Sequence, residues 1–174
     1  MTEKKFKYIG KRRRAVEHRR FVIGKGRYAA DIHLQDMLHV AIVASPYAHA
    51  KIKSIDASAA LNLPGVHAIV TGKDLFADTD PILPGVDAPL VKRYPMAVDL
   101  ARYAGEWVVA VVASSRALAE DAAELIDVDY EILDHVVDPE KALLPNAPLV
   151  HEAQGSNTIF HRKFVCGPVE EDFS

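Results

Sequence analysis

The 174-residue sequence holds one cysteine, Cys166. No internal disulfide can form, so a packed core must hold the fold, and a cytoplasmic setting is the default expectation. No apolar run approaches the roughly 20 residues of a helical membrane span. The basic N-terminus has no apolar stretch behind it and does not read as a secretory signal. Aromatic residues are only 7% of the chain. Those near the basic start are Phe6, Tyr8 and Phe21, which supply few platforms for stacking nucleic-acid bases. "GKGRYAAD" at 24–31 lacks the Walker ending of Lys followed by Ser or Thr, and it is read as a turn rather than a phosphate loop.

What is present suits one soluble domain: 49% hydrophobic and 26% charged residues, in a chain long enough for a single core. Charge is unevenly spread. Residues 1–27 carry eleven Lys and Arg against two acids, whereas the remainder carries ten against twenty-two. Such a basic segment can bind phosphates, or lie as an arm on an acidic partner or on the acidic rest of the chain. The arm reading is preferred.

Along the chain, "DMLHVAIVAS" at 36–45 reads as a buried strand, ended by Pro46. "AHAKIKSID" at 48–56 alternates: Ala48, Ala50, Ile52 and Ser54 point one way, and His49, Lys51, Lys53 and Ile55 the wetter way. Asp56 is placed to cap a short helix, "ASAALNL". "PGV" at 64–66 turns the chain into a strand at 66–72, and "GKDL" starts one more turn of helix. The stretch 76–95, with four prolines, reads as a long loop. After a turn at Gly105, Trp107 to Ala113 is a continuous apolar strand. Ser114 is placed to cap the helix "SRALAEDAAELI", in which Leu118, Ala122 and Leu125 fall at helical spacing, and so do Ala119, Ala123 and Ile126. "DVDYEIL" at 127–133 returns as a strand. Asp138 caps a helix with Pro139 at its first position, and "NTIFHRKFVCG" at 157–167 is a last strand candidate.

Two segments, 48–71 and 107–133, therefore share the plan strand, cap, alanine-rich helix, strand. The expected fold class is α+β: a mixed β-sheet with two short β-α-β units and helices packed on it.

The search for reacting groups assigns none. The histidines are His18, His33, His39, His49, His67, His135, His151 and His161. None forms an H-x-x-x-H pair on a predicted helix. His49 and His67 lie inside predicted strands, away from loop ends, and read as structural. Cys166 has no assigned base. The acids at 120–124 read as a solvated helix face, and "VEED" at 169–172 as a helix start. No catalytic, cofactor-binding or metal-binding residue is assigned.

Several phrases in order carry a resemblance. They are G-x-x-x-Y-x-x-D at 24–31, S-P-x-A-H-A-x-I at 45–52, A-L-x-L-P-G-V at 60–66, T-G-x-D-L at 71–75 and "RYAGEWVVAVVAS" at 102–114. "VDPEKAL" and "APLVHE" follow. Over most of residues 8–170 the chain resembles the molybdenum-binding large subunit of the xanthine dehydrogenase, aldehyde oxidase and aerobic carbon monoxide dehydrogenase family, at its α/β hammerhead domain. Trp107 stands where the family usually has proline, and the basic tract at 11–14 is heavier than the family's lead. "GPVEEDFS" resembles a phrase that opens a further helix, so the 174 residues read as a truncated piece or a split-gene subunit.

The resemblance implies a basic arm at 1–23, the hammerhead domain at 24–138, and a connector with the start of the molybdenum-binding region at 139–174. It implies a structural and interfacial role within an enzyme that hydroxylates or oxidises a small molecule with oxygen from water. No cofactor is expected in this piece. The complete enzyme would carry a molybdenum–pterin cofactor, with [2Fe-2S] clusters and FAD on partners. Expected partners are the remainder of the large subunit, the iron–sulfur subunit and an FAD subunit, in an oligomeric complex. The rival reading is a free-standing module whose basic arm binds nucleic acid or an acidic protein.

Overall fold

A computed structural model describes residues 6–82, 91–161 and 163–164. The chain divides into two compact units, 1–37 and 38–174. In the first, α1 (His18–Val22) buries no residue, and a single 3-10 turn spans Ala29–Asp31. That turn lies in "GKGRYAAD" and is closed by Tyr28 N donating to Asp31 Oδ2 at 2.9 Å. Tyr8, Phe21 and Tyr28 make ring contacts within the unit. Phe21 stacks on Tyr28, with centroids 5.5 Å apart, and Arg20 lies over the Phe21 ring. Lys7 and Arg13 lie over Tyr8.

Among the described residues the second unit holds six strands: β1 (His39–Ala44), β2 (Ala50–Asp56), β3 (Val66–Thr71), β4 (Leu100–Ala101), β5 (Trp107–Ala113) and β6 (Asp127–Ile132). Its helices are α2 (Ser58–Leu61), α3 (Gly72–Asp78), α4 (Arg116–Glu124) and α5 (Pro139–Ala142). The α+β class holds, but the strands form two three-stranded sheets, β1-β5-β3 and β4-β2-β6, rather than one mixed sheet. All pairings are antiparallel. From β1 onward, each successive strand lies in the opposite sheet.

Both expected β-α-β units therefore run from one sheet to the other. The nine residues between β2 and β3 are too few for a parallel crossover, which needs about a dozen or more. Beside β5 both edges are already taken by β1 and β3, so β6 pairs with β2 in the second sheet.

The valine run of β5 explains its central place. Val108, Val109, Val111 and Ala113 are fully buried, as a strand covered on both faces must be. One core cluster joins Ile52, Ala97, Ala101, Val108 and Val109. A second joins Ala60, Val111 and Ala122 under the helices. Ile69 and Ile126 pack against both. Ala119 and Ala122 have fully buried methyls, which lets α4 approach β1 and β5 closely.

Several local expectations need correction. The pairing of β2 with β6 slips between Ile52 and Ser54. This bulge at Lys53 reverses the alternation, so Ser54 is exposed and Ile55 packs on the core instead. The cap of α4 is Ser115, whose Oγ accepts from Leu118 N at 3.2 Å, not Ser114. Asp56 acts one residue outside the N-cap of α2, accepting from Ser58 N at 2.9 Å. The helix begun at "GKDL" runs on through Phe76 to Asp78, shortening the expected loop. Asp74 supports it by accepting from Thr71 N and Thr71 Oγ1 at 2.8 and 2.7 Å.

Of that loop, 83–90 lie outside the described residues, while Ile82 bridges to Arg93. The last strand candidate is not a strand over 157–161 or 163–164, and 165–167 fall outside the described residues. Asn157 takes another role. Its Oδ1 accepts from Val150 N at 2.9 Å, and its Nδ2 donates to Ala142 O and Pro148 O. The Asp138 cap is as expected, accepting from Glu140 N and Lys141 N. Among the described residues no helix is long and apolar enough to cross a membrane.

Candidate functional site

A concavity of about 550 Å3 in the second unit lies beside β4. Phe76 of α3 and Tyr94 form one aromatic wall, with ring centroids 4.8 Å apart. Arg93 and Arg102 bring cationic groups to it from two segments, and His151 reaches it from a third. The turn after β4 is held by Glu106, whose carboxylate accepts from Arg102 N. Gly105, at φ +92°, allows that turn, and its N–H donates to Ser45 O at 2.8 Å. Ser45 N returns a bond to Glu106 O at 2.8 Å.

The His151 imidazole is held below the ordinary histidine range, first by burial and then by the nearby charge of Arg102 and Arg93. These influences favour the neutral ring. Burial likewise pushes the Tyr130 phenol up, with Ser45 beside its hydroxyl opposing the shift. Tyr130 meets Tyr47 edge-on at 5.3 Å.

His49 is not on a wet strand face. It precedes β2 and is only 6% exposed. Its Nδ1 donates to Asp134 O at 2.8 Å, a structural use consistent with the sequence reading. His67 lies in β3 with its side chain exposed. His18 and His33 are exposed in the first unit; His135 and His161 are exposed in the second. His39 opens β1. Cys166 and 169–172 lie outside the described residues. The acids Glu120, Asp121 and Glu124 are exposed on α4, where Glu120 pairs with Arg116 at 2.7 Å.

The sequence reading did not single out Arg93, Arg102 or Asn157. Arg93 and Arg102 reach the cleft only through tertiary folding, and Asn157 was hidden inside an apparent strand pattern.

Among the described residues no group of three or more His, Cys, Asp or Glu could hold a metal ion. The donor set needed for a metal is therefore not assembled by these residues, and no reaction step is routed through them. The arrangement braces a turn and offers an aromatic-walled recess lined by Lys92, Arg93 and Arg102 together with Asp99 and Glu106.

The fold places the chain in the α+β class. Residues 23–134 match the family model described as aldehyde oxidase and xanthine dehydrogenase, a/b hammerhead domain. The chain belongs to that family, as its hammerhead domain. It is 39% identical over 173 residues to the nicotine 6-hydroxylase large subunit of Paenarthrobacter nicotinovorans, covering 95% of this chain and 21% of that one. It superposes on quinoline 2-oxidoreductase from Pseudomonas putida 86 with a TM-score of 0.77 at 40% identity, covering 83% of this chain and 19% of the other. It also superposes on the Cu,Mo-CO dehydrogenase with a TM-score of 0.72 at 41% identity, covering 83% and 18%. The chain thus spans about a fifth of the length of these relatives. The rival reading of a nucleic-acid module finds no support in these comparisons.

Proposed function

We propose that this chain is the structural and interface domain of the molybdopterin-binding large subunit of a molybdenum hydroxylase. The hammerhead occupies 24–138, preceded by a basic arm at 1–23 and followed by a connector toward the molybdenum-binding region at 139–174. The complete enzyme works in the cytoplasm and oxidises or hydroxylates a small molecule with oxygen from water. Its molybdenum–pterin cofactor supplies the oxidising centre, and [2Fe-2S] clusters and FAD on partner subunits or domains carry the electrons away. This domain braces the large subunit and helps seat the iron–sulfur subunit.

The observation that supports this reading is the character of the uncovered surface. β1, "HVAIVA", is an edge strand without a single Lys, Arg, Asp, Glu or Pro. Free-standing domains guard such edges with charge or proline. Val40 on that edge is 58% exposed, and Trp107, at the start of β5, is 52% exposed. Ile132, at the end of β6, is also exposed. An unguarded edge strand with exposed apolar side chains supports the reading that other polypeptide covers it.

The test is co-purification from cells expressing all the subunits. Trp107→Ala and Val40→Lys should lower the yield of assembled complex while the chain itself stays folded. Full assembly with both substitutions together would count against the interface role.

A further inference from the structure

We propose that one water molecule is built into this fold between His49 and Arg102, and that it helps fasten the segments 134–136 and 148–150 to the body of the domain. The inference goes beyond the family role and stands on its own observations. His49 is more than nine-tenths buried. Asp134 O can only accept, so its partner Nδ1 carries the ring hydrogen, and in the neutral imidazole Nε2 presents a lone pair. Nε2 has no hydrogen-bond partner among the described residues.

Arg102 supplies the complement. Its Nε is buried and likewise without a partner among the described residues. Its Nη1 reaches back to Leu100 O at 3.4 Å, which leaves the Nε–H, a donor only, to be satisfied elsewhere. Both side chains line one small cavity, whose lining also includes Asp134, Val136, Pro148 and Val150. Its volume is about 10 Å3, room for about one water and for no phosphate or carboxylate.

The site thus pairs one acceptor with one donor. A bare anion would answer Arg102 but repel the lone pair of Nε2. A metal cation would answer Nε2 but repel the guanidinium. A water molecule satisfies both: it accepts from Arg102 Nε–H and donates to His49 Nε2. Its second hydrogen remains for a backbone group of the cavity wall. Native interiors rarely leave such atoms bare, and buried waters are the usual remedy.

The location gives the water a purpose. Asp134 O is bonded to His49, and Asn157 clamps Pro148 O and Val150 N. Water at the cavity adds a third tie, where the chain leaves β6 and runs toward α5 and beyond.

The test is a crystal structure of the full chain at a resolution that shows ordered water, joined to 15N NMR of its histidines. The expected result is one water within hydrogen-bonding distance of both His49 Nε2 and Arg102 Nε, with His49 in the Nδ1–H form. Arg102→Met should shorten the residence of that water, read from its magnetisation exchange, by about tenfold, the effect of one lost hydrogen bond. An empty cavity, a direct Arg102–His49 contact, a doubly protonated His49 beside a bound ion, or a residence time unchanged in Arg102→Met would each overturn the proposal. Should Arg102→Met fail to fold, the wild-type density and tautomer still decide.

Discussion

A β-carbon added to Gly72 would lie 1.8 Å from the carbonyl oxygen of Ala97, and 2.5 Å from its carbonyl carbon. The start of α3 therefore touches the backbone that leads into β4, and only glycine fits. The obstacle is main chain, so it cannot swing aside as a flexible side chain would. Gly72→Ala is expected to destabilise the domain by about 3 kcal/mol, the upper range for an overpacked core. Urea unfolding monitored by circular dichroism checks this, and an unchanged midpoint would show that the contact is not constraining.

The buried center of β5 gives a second expectation. Val111 lies fully buried between Ala60 and Ala122. Val111→Ala removes two methylene-sized groups and should cost about 2 kcal/mol. In the opposite sense, Ala122→Leu has no room beneath α4 and should cost about 1–3 kcal/mol through strain. Thermal melts of the two variants should both fall. A stabilised Ala122→Leu would mean the helix stands farther from the sheet than its buried methyls indicate.

The adjacent serines before α4 should separate cleanly. Ser115→Ala removes the acceptor of Leu118 N and is expected to cost about 1 kcal/mol. Ser114→Ala, at an exposed side chain without a capping bond, should stay within about 0.5 kcal/mol of the wild type. Denaturant midpoints for the pair measure the difference directly, and equal losses would contradict the assigned cap.

His151 makes a prediction in pH. Its folded value lies below the ordinary 6.5, so between the two values the unfolded chain binds more protons than the folded one. Stability from this residue is complete above about 6.5 and declines as pH falls, until the folded ring itself protonates. Arg102→Gln should move the His151 titration upward but not fully to the ordinary value, because burial is the larger cause. Histidine NMR titration follows this, and a downward movement would contradict the placement of Arg102 beside the ring.

Local chemistry made much of the scaffold legible. The valine run of β5, the Asp138–Pro139 helix start, and the turns at Gly65 and Gly105 each follow from short-range rules. The division into two sheets was not legible, because antiparallel pairing such as Val111 with both Ala41 and Ile69 joins residues far apart in sequence. Lys53 shows a second kind of loss: a one-residue bulge reversed an otherwise correct alternation. The cleft was hidden for the same nonlocal reason. Arg93, Arg102 and His151 lie in three separate stretches of sequence and meet only in the folded domain. The burial of His49 was also not legible, because it depends on the distant segment near Asp134.

The most direct test of the central claim is substrate-dependent dye reduction, with molybdenum content measured alongside. The assay compares this chain alone with this chain completed by the rest of the large subunit, its partners and the pterin cofactor. N-heteroaromatics, aldehydes, purines and carbon monoxide serve as the substrate panel. The account predicts neither metal nor turnover for the chain alone, and activity once the assembly is complete. A lone chain that binds a metal stoichiometrically and turns over a substrate would contradict it.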